Sequence, residues 1–491
     1  MNVIAQHEPR GQTLPWIQVA PGAPYFVTEL GDSWTPIGQN DAITWPDLEG
    51  LFRRKDIASV GRYLRTVKAS GVTCLRLMLE YSHGENRYLE RQVGQFAPNM
   101  VQLWDDMFAL CEHHGLRVLL TPFDTFWMWK RWKRHPYNRA NGGPCDKPSR
   151  LLLCGDTRAA IKGRLGFAVD RWGGSGALFA WDLWNEIHPG QAEESADCLD
   201  DFIADLSAHV RERECRLYGR SHPQTVSMFG PEIGWRPWLD LTSPIFHHRA
   251  LDFATIHVYS EGTIDAPENT VDPAIEMGTI VRGSLARIRD QRPFLDTEHG
   301  PIQTFKDRRV TLPTAFDNEY FKHLQWAHFA SGGAGGGMRW PYRNPHALTP
   351  GMRLAQRSLA EFAPLVDWSN FKRRNLNDEI VVFSGAQWAH FACADDGQAI
   401  VWLLRSDCTG RDGMLRRDAA PADISVQLPA LRRGNYRITL WDTTHRVVQS
   451  VTEVSQECDG DLTVELRQIS MDVALYVSEQ PRAPSSGVFS L

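Results

Sequence analysis

The chain has 491 residues, 42% hydrophobic and 23% charged, with a formal net charge of −6. That length exceeds one ordinary core, and the balance is that of a soluble globular protein, which excludes the disordered and fibrous classes. A mildly acidic chain with no basic tail gives nucleic acid no electrostatic footing, and no run approaches the length of a membrane helix.

In chain order, the opening MNVIAQHEPRGQTLPW lacks an apolar segment flanked by small residues, so no export signal is expected. From about residue 25 to 365, short apolar runs alternate with amphipathic segments, the pattern of a parallel α/β architecture. The expected strands are YFVTEL (25–30), GVTCLRLM (71–78), LRVLLTPF (116–123), LFAWDLWN (178–185), TVSMFG (225–230), FATIHVY (253–259), RPFLDTE (292–298) and GGGMRW (335–340). Segments such as IASVGRYLRTVKAS and MVQLWDDMFALCEHH between them repeat apolar residues at helical spacing and end near a Gly. Eight strands with helices between them predict a (β/α)8 TIM barrel over residues 1–370. A doubly wound open sheet competes, but GDSWTPIGQN is no glycine-rich phosphate loop, and GGAGGG (332–337) lacks a phosphate loop's ending. GGAGGG is expected to mark close backbone packing at the last strand.

After about residue 375 the texture changes. EIVVFSG, WAHFACA, QAIVWLLR, DISVQLP, NYRITLWD, TVELRQ and VALYVSE read as strands with turns and no helix, predicting a C-terminal β-sandwich over 371–491 that ends in a frayed PRAPSSGVFSL. The nine Cys show neither CxxC pairs nor zinc-ligand spacing, so free thiols in a reducing cytoplasm are expected, with a Cys145–Cys154 pair as the alternative. No metal and no cofactor is expected.

In a TIM barrel, polar residues at the C-terminal ends of strands face the active site. That rule collects Arg76, Asp124, Asn185, Glu186, His257, Tyr259, Glu298 and Trp340. Glu186 ends an apolar run, and Glu298 stands at the matching place three βα units later. Two Glu facing each other across a barrel mouth form the pair that retaining glycoside hydrolysis needs. Singly, Arg76 could be a structural ion-pair partner and His257 a satisfied core histidine. The run WMWKRWKRH alternates Trp with Lys and Arg, a poor core pattern and a good rim for a sugar, which nominates Trp129.

On these residues the chain resembles the retaining clan A glycoside hydrolases, most nearly family 5, the cellulases and mannanases. WNE (184–186) and TEHG (297–300) are similar to that family's acid/base and nucleophile signatures. The resemblance implies that Arg76 hydrogen-bonds the nucleophile, that Asn185 holds the sugar 2-hydroxyl, and that His257 and Tyr259 are the sixth-strand pair. It implies further that Trp340 is the platform under the sugar being cleaved. The chain departs from cellulase-like members at TPFDTFW, where Phe123 and Asp124 stand in place of a third-strand His. The stretch from Asp124 through NGGPC (141–145) to FAWDLWNE is closer to mannanase-type relatives. The expected function is a β-glycosidase acting on β-linked oligosaccharides or glycosides with a mannose-type sugar. A transglycosylase and a non-catalytic carbohydrate-binding barrel are the alternatives. Glu186 is expected to hold a proton near neutral pH because of burial and the charge of Glu298.

Overall fold

The computed structural model describes residues 14–80, 88–302, 311–341 and 346–480. Its centre is an eight-stranded parallel sheet: β1 (Gly38–Asp41), β2 (Cys74–Met78), β3 (Arg117–Thr121), β4 (Leu178–Asp182), β5 (Gln224–Thr225), β6 (Ala254–Val258), β7 (Phe294–His299) and β8 (Met338–Arg339). Ladders run in the order β5-β4-β3-β2-β1-β8-β7-β6. A parallel bridge between Phe229 and His257 closes the ring, supported by hydrogen bonds from Gly230 N to His257 O (3.0 Å) and His257 N to Met228 O (2.8 Å). Every residue of β2, β3 and β4 is buried, as expected of parallel strands covered on both faces.

The helices follow from local signals. Ile57–Ala69 is capped by Asp56, whose side chain accepts Ser59 N–H. Pro98–His114 opens on a proline and stops at Gly115 in the left-handed region. Between β5 and β6 stand only two five-residue helical turns, Pro231–Trp235 and Ser243–His247.

One expected strand is misplaced. Phe26–Thr28, within YFVTEL, belongs to a small antiparallel sheet with Ile17–Val19 and Ser33–Trp34. Phe26 lies edge-on to Phe179 (5.0 Å) and Phe253 (5.4 Å), at the N-terminal ends of β4 and β6, so this sheet closes the barrel floor. The true first strand reads GQND. Its polarity hid it, because Gln39, Asn40 and Asp41 are buried through hydrogen bonds rather than through apolar contact. The GGAGGG reading agrees with the geometry: a Cβ on Gly335 (φ +144°) would meet Pro36 O at 2.1 Å, at the approach to β8.

The C-terminal strands are β9 (Arg374–Asn375), β10 (Val381–Ser384), β11 (Trp388–Ala394), β12 (Gln398–Arg405), β13 (Ala422–Leu431), β14 (Gly434–Asp442), β15 (Val447–Gln456), β16 (Gly460–Ile469) and β17 (Asp472–Glu479). They form a six-stranded sheet, β9-β11-β12-β17-β14-β15, facing a three-stranded sheet, β10-β13-β16. The central strand of the larger sheet, β12, is buried on both faces. Along β12, Ala399, Val401 and Leu403 enter the sandwich core, while Ile400, Trp402 and Leu404 join the core of the barrel. The strand alternation thus serves two cores at once. Lys322 of a barrel helix donates to Asp472 of β17 (2.9 Å), whose other oxygen accepts Trp402 Nε1–H (3.0 Å). All nine Cys are free thiols, including Cys145 and Cys154. The segment PRAPSSGVFSL lies outside the described residues.

Candidate active site

The site is built upward from a polar layer inside the barrel. Arg76 of β2 is buried, and Asp182 of β4 accepts from its Nη2 (2.7 Å) and Nε (3.2 Å). Asp182 also accepts Thr121 Oγ1–H (3.2 Å), Ser227 N–H (3.0 Å) and Ser227 Oγ–H (3.0 Å). A buried ion pair is tolerated only when its remaining lone pairs are filled, and here they are. Arg76 then reaches upward, with Nη1 donating to Asn40 Oδ1 (2.9 Å) and Glu298 Oε2 (3.1 Å), and Nη2 donating to Asn185 Oδ1 (2.5 Å). Asn40 donates in turn to Thr297 O (2.9 Å) and Met338 O (3.1 Å), tying β1 to β7 and β8.

Above this layer stand the two carboxyl groups. Glu298 is the last residue but one of β7 and accepts Tyr259 Oη–H at 2.8 Å. Glu186 follows β4 at φ +50°, a left-handed conformation costly for a side chain with a Cβ and characteristic of functional positions. Its N–H donates to Ser227 Oγ (3.2 Å), which holds the turn that lifts the carboxyl group into the mouth. His257 Nδ1 lies 2.8 Å from Glu186 Oε1 and 3.6 Å from Glu298 Oε2. Ligand atoms of Glu186, His257 and Glu298 all fall within 4.8 Å of one another. A metal ion would fit that spacing, but the Arg76 guanidinium already supplies a fixed cation to Glu298.

The two carboxyls differ electrostatically. Burial pushes Glu186 up to about 7; Arg76 and His188 oppose the rise, and Asp182 and Glu232 add to it. The direction is as expected from burial, and the repulsion between Glu186 and Glu298 acts on the pair, raising Glu298 as well. Burial also raises Glu298 above the ordinary carboxylate value, against the pull of His257, Arg76 and the Tyr259 hydrogen bond. Burial depresses His257 to about 4, so its imidazole is neutral at pH 7.

Of the residues collected from the sequence, Arg76, Asn185, Glu186, His257, Tyr259 and Glu298 converge on one connected network. Asp124 joins that network through Asn185, beside which it lies in a parallel bridge. Its oxygens accept Phe126 N–H (3.2 Å), Trp127 N–H (3.1 Å) and Asn185 Nδ2–H (2.6 Å). It therefore caps a helix and orients Asn185. Burial pushes Asp124 up to about 7. The tryptophan run begins in a helix, Thr125–Lys130, and continues into a 3-10 turn, Trp132–Arg134, rather than an open loop. Trp129 is 44% exposed there, whereas Trp132 is buried and stacked on His135 (5.9 Å, 11° from parallel). Trp340 meets Trp45 edge-on at 5.0 Å and, with Trp127, packs on Ala42, Trp45 and Met78.

Sequence reasoning missed Asn40, Asp182 and Ser227, which sit inside strands or loops rather than at their apparent ends. It also missed His188 and Glu232, paired at 3.3 Å beside the Glu186 turn. An Asp inside the apolar run LFAWDLW was the available signal for Asp182: a buried carboxylate there demands a buried cation.

No family model matches the chain. Mannan endo-1,4-beta-mannosidase 7 of Arabidopsis thaliana is 22% identical over 292 residues, 53% of this chain and 64% of that protein, so the match spans less than two thirds of the relative. Among solved structures, one described as a glycoside hydrolase superposes with a TM-score of 0.59 at 11% identity, covering 96% of this chain and 99% of that one. A glycoside hydrolase family 5 protein from Bacteroides vulgatus gives 0.58 at 12% identity, covering 95% of each chain. A family 5 mannosidase from Rhizomucor miehei gives 0.53 at 14% identity, covering 73% and 99%. The fold of this chain is the one these glycoside hydrolase family 5 structures share.

Proposed function

We propose that the chain is a retaining glycoside hydrolase of the family 5 type, acting on β-linked oligosaccharides or glycosides with a mannose-type sugar at the cleavage point. The carrying observation is the asymmetry between two carboxyls whose oxygens lie within 4.8 Å of each other. Retention requires carboxyl groups only about 5–5.5 Å apart, too close for a water to attack between them. Arg76 and Tyr259 both donate to Glu298 and neither donates to Glu186. Glu298 is thus assigned as the nucleophile that attacks the anomeric carbon. Glu186, raised to about 7, donates its proton to the departing oxygen. Once the glycosyl-enzyme has formed, the same carboxylate takes a proton from the incoming water.

Asn185 has one amide hydrogen committed to Asp124, leaving the other for a sugar hydroxyl. Trp340, braced by Trp45, offers an aromatic face to the ring. Asp124 acts through Asn185 and not on the sugar, and exposed Trp129 belongs to the rim. A cytoplasmic location is part of this reading, supported by nine unpaired thiols. Among the described residues, no helix is long and apolar enough to cross a membrane.

The test is a panel of aryl β-mannosides, glucosides, xylosides and galactosides, with proton NMR of the first sugar released. A β-anomer formed first is the expected result. An α-anomer, or no turnover across the panel, would overturn the assignment.

A further inference from the structure

The connection after β3 carries charge that the two-carboxylate chemistry does not use. Residues 125–150 hold seven Lys and Arg and one acid, in a chain whose net charge is −6. The loops after β4 and β6 are the reverse: residues 183–198 and 259–272 hold four acids each and no Lys or Arg. Lys147 and Arg150, far along the basic stretch, are paired with Glu193 at 3.4 Å each. Lys130, Arg131 and Lys133 have no ion-pair partner among the described residues. Two of these cations are held over aromatic rings one helical turn earlier. Lys130 Nζ lies 4.0 Å from the Phe126 ring centre, and Arg131 Cζ lies 5.8 Å from that of Trp127. Trp127 packs with Trp340 on Ala42, Trp45 and Met78, which sets half-buried Arg131 on the Trp340 side of the mouth. Burial and the charge of Glu80 raise the Tyr88 phenol, while Arg131 and Arg134 pull it back, so the Tyr88 hydroxyl also stands near Arg131.

A neutral sugar gains from aromatic faces and hydroxyl partners, and three unpaired cations add nothing to its binding. A half-buried guanidinium between an indole and a phenol hydroxyl offers the paired, planar donors that a carboxylate accepts. We propose that the bound chain is an acidic oligosaccharide, and that Arg131, with Lys130 and Lys133 beside it, holds the carboxylate of a uronate unit next to the sugar over Trp340. The acidic loops after β4 and β6 repel that unit, so the field across the mouth sets the direction in which the chain lies. That this chain is a substrate, and not only a ligand, rests on the hydrolase reading above.

The test compares β-1,4-linked trimannuronate with neutral mannotriose, by titration calorimetry and as inhibitors of aryl β-mannoside hydrolysis. Trimannuronate should bind roughly ten-fold tighter or more at low salt, the worth of one hydrogen-bonded charge. That preference should shrink toward unity in about 1 M NaCl, where exposed charges are screened. Arg131→Gln should lose most of the preference while kcat on the aryl mannoside stays unchanged, and Arg131→Lys should keep part of it. Arg150→Gln, which removes a cation already paired, should keep all of it. Equal affinities in the wild type, or a preference that survives in Arg131→Gln, would overturn the proposal. Calorimetry needs no turnover, so wild-type protein that prefers trimannuronate yet hydrolyses no aryl glycoside would overturn the hydrolase reading and leave the carboxylate site standing.

Discussion

Removing the Glu186 carboxyl should break the two halves of the reaction in different ways. In Glu186→Ala, the contacts to Glu298 from Arg76 (3.1 Å) and Tyr259 (2.8 Å) remain, so the nucleophile is intact. A leaving group that departs without a proton, such as dinitrophenolate, should therefore still form the glycosyl-enzyme within about ten-fold of the wild-type rate. A sugar leaving group needs the proton, and general acid catalysis contributes about 10²–10⁴-fold, or about 3–5 kcal/mol of barrel-mouth stabilisation of the transition state. The second step also suffers, because no base remains for water. The Glu186 side chain is 20% exposed, so its removal opens a solvent-connected gap beside His257 that admits a small anion. Azide should enter there, attack without base help and restore turnover of the dinitrophenyl substrate. Stopped-flow release of dinitrophenolate should show a burst, and NMR should identify a β-glycosyl azide. An α-azide, or equal losses on activated and unactivated substrates, would refute the assignment of acid and nucleophile.

The remaining predictions concern charge and packing. With Glu186 required protonated, kcat/KM should fall as pH rises through about 7, and that limb should vanish in Glu186→Ala assayed on the dinitrophenyl substrate. Because Glu186 binds its proton more tightly folded than unfolded, its contribution to stability is present at low pH and lost as pH rises from its ordinary value of 4.5 through about 7. Glu186→Gln should therefore raise the melting temperature at pH 8 and leave it nearly unchanged at pH 4, as scanning calorimetry would show. Arg76→Met leaves Asp182 buried without its cation and should cost about 3–5 kcal/mol in urea unfolding, besides lowering turnover. Truncation after residue 370 strips Trp441 from Phe362 and removes Ile400, Trp402 and Leu404 from the barrel core, so insoluble or low-melting protein is expected. A stable, fully active barrel would show that the sandwich is dispensable.

Legibility in the sequence followed apolar content. The runs containing β2 to β4 announce themselves because strands buried on both faces must be nearly all apolar. β1 does not, because GQND satisfies the interior with hydrogen bonds, and FVT nearby offers a better imitation of a barrel strand. β15, VVQSVTEVSQ, is almost wholly exposed at a sheet edge and carries no burial pattern to read. The strand-end rule singles out Glu186 and Glu298 because a carboxylate after an apolar run has few structural uses. Asp124 is ambiguous under that rule, because its place at a strand end is also a helix N-cap and only the partners of its oxygens distinguish the two roles.

The position of His257 between the two carboxyls has a consequence for the course of the proposed reaction. Before attack, the negative charge lies on Glu298 and the proton on Glu186. After attack, Glu298 is an uncharged ester and Glu186 carries the charge. Arg76 stays bound to Asp182 throughout, and His257 stays neutral and within reach of both oxygens. The mouth therefore keeps the same total charge in every intermediate, and one electron's worth of charge migrates between opposite walls past a polarisable ring. Surrounding water and dipoles meet a shifted charge rather than a new one. A buried site can cross that exchange with little reorganisation, which is where preorganised electrostatics lowers a barrier most.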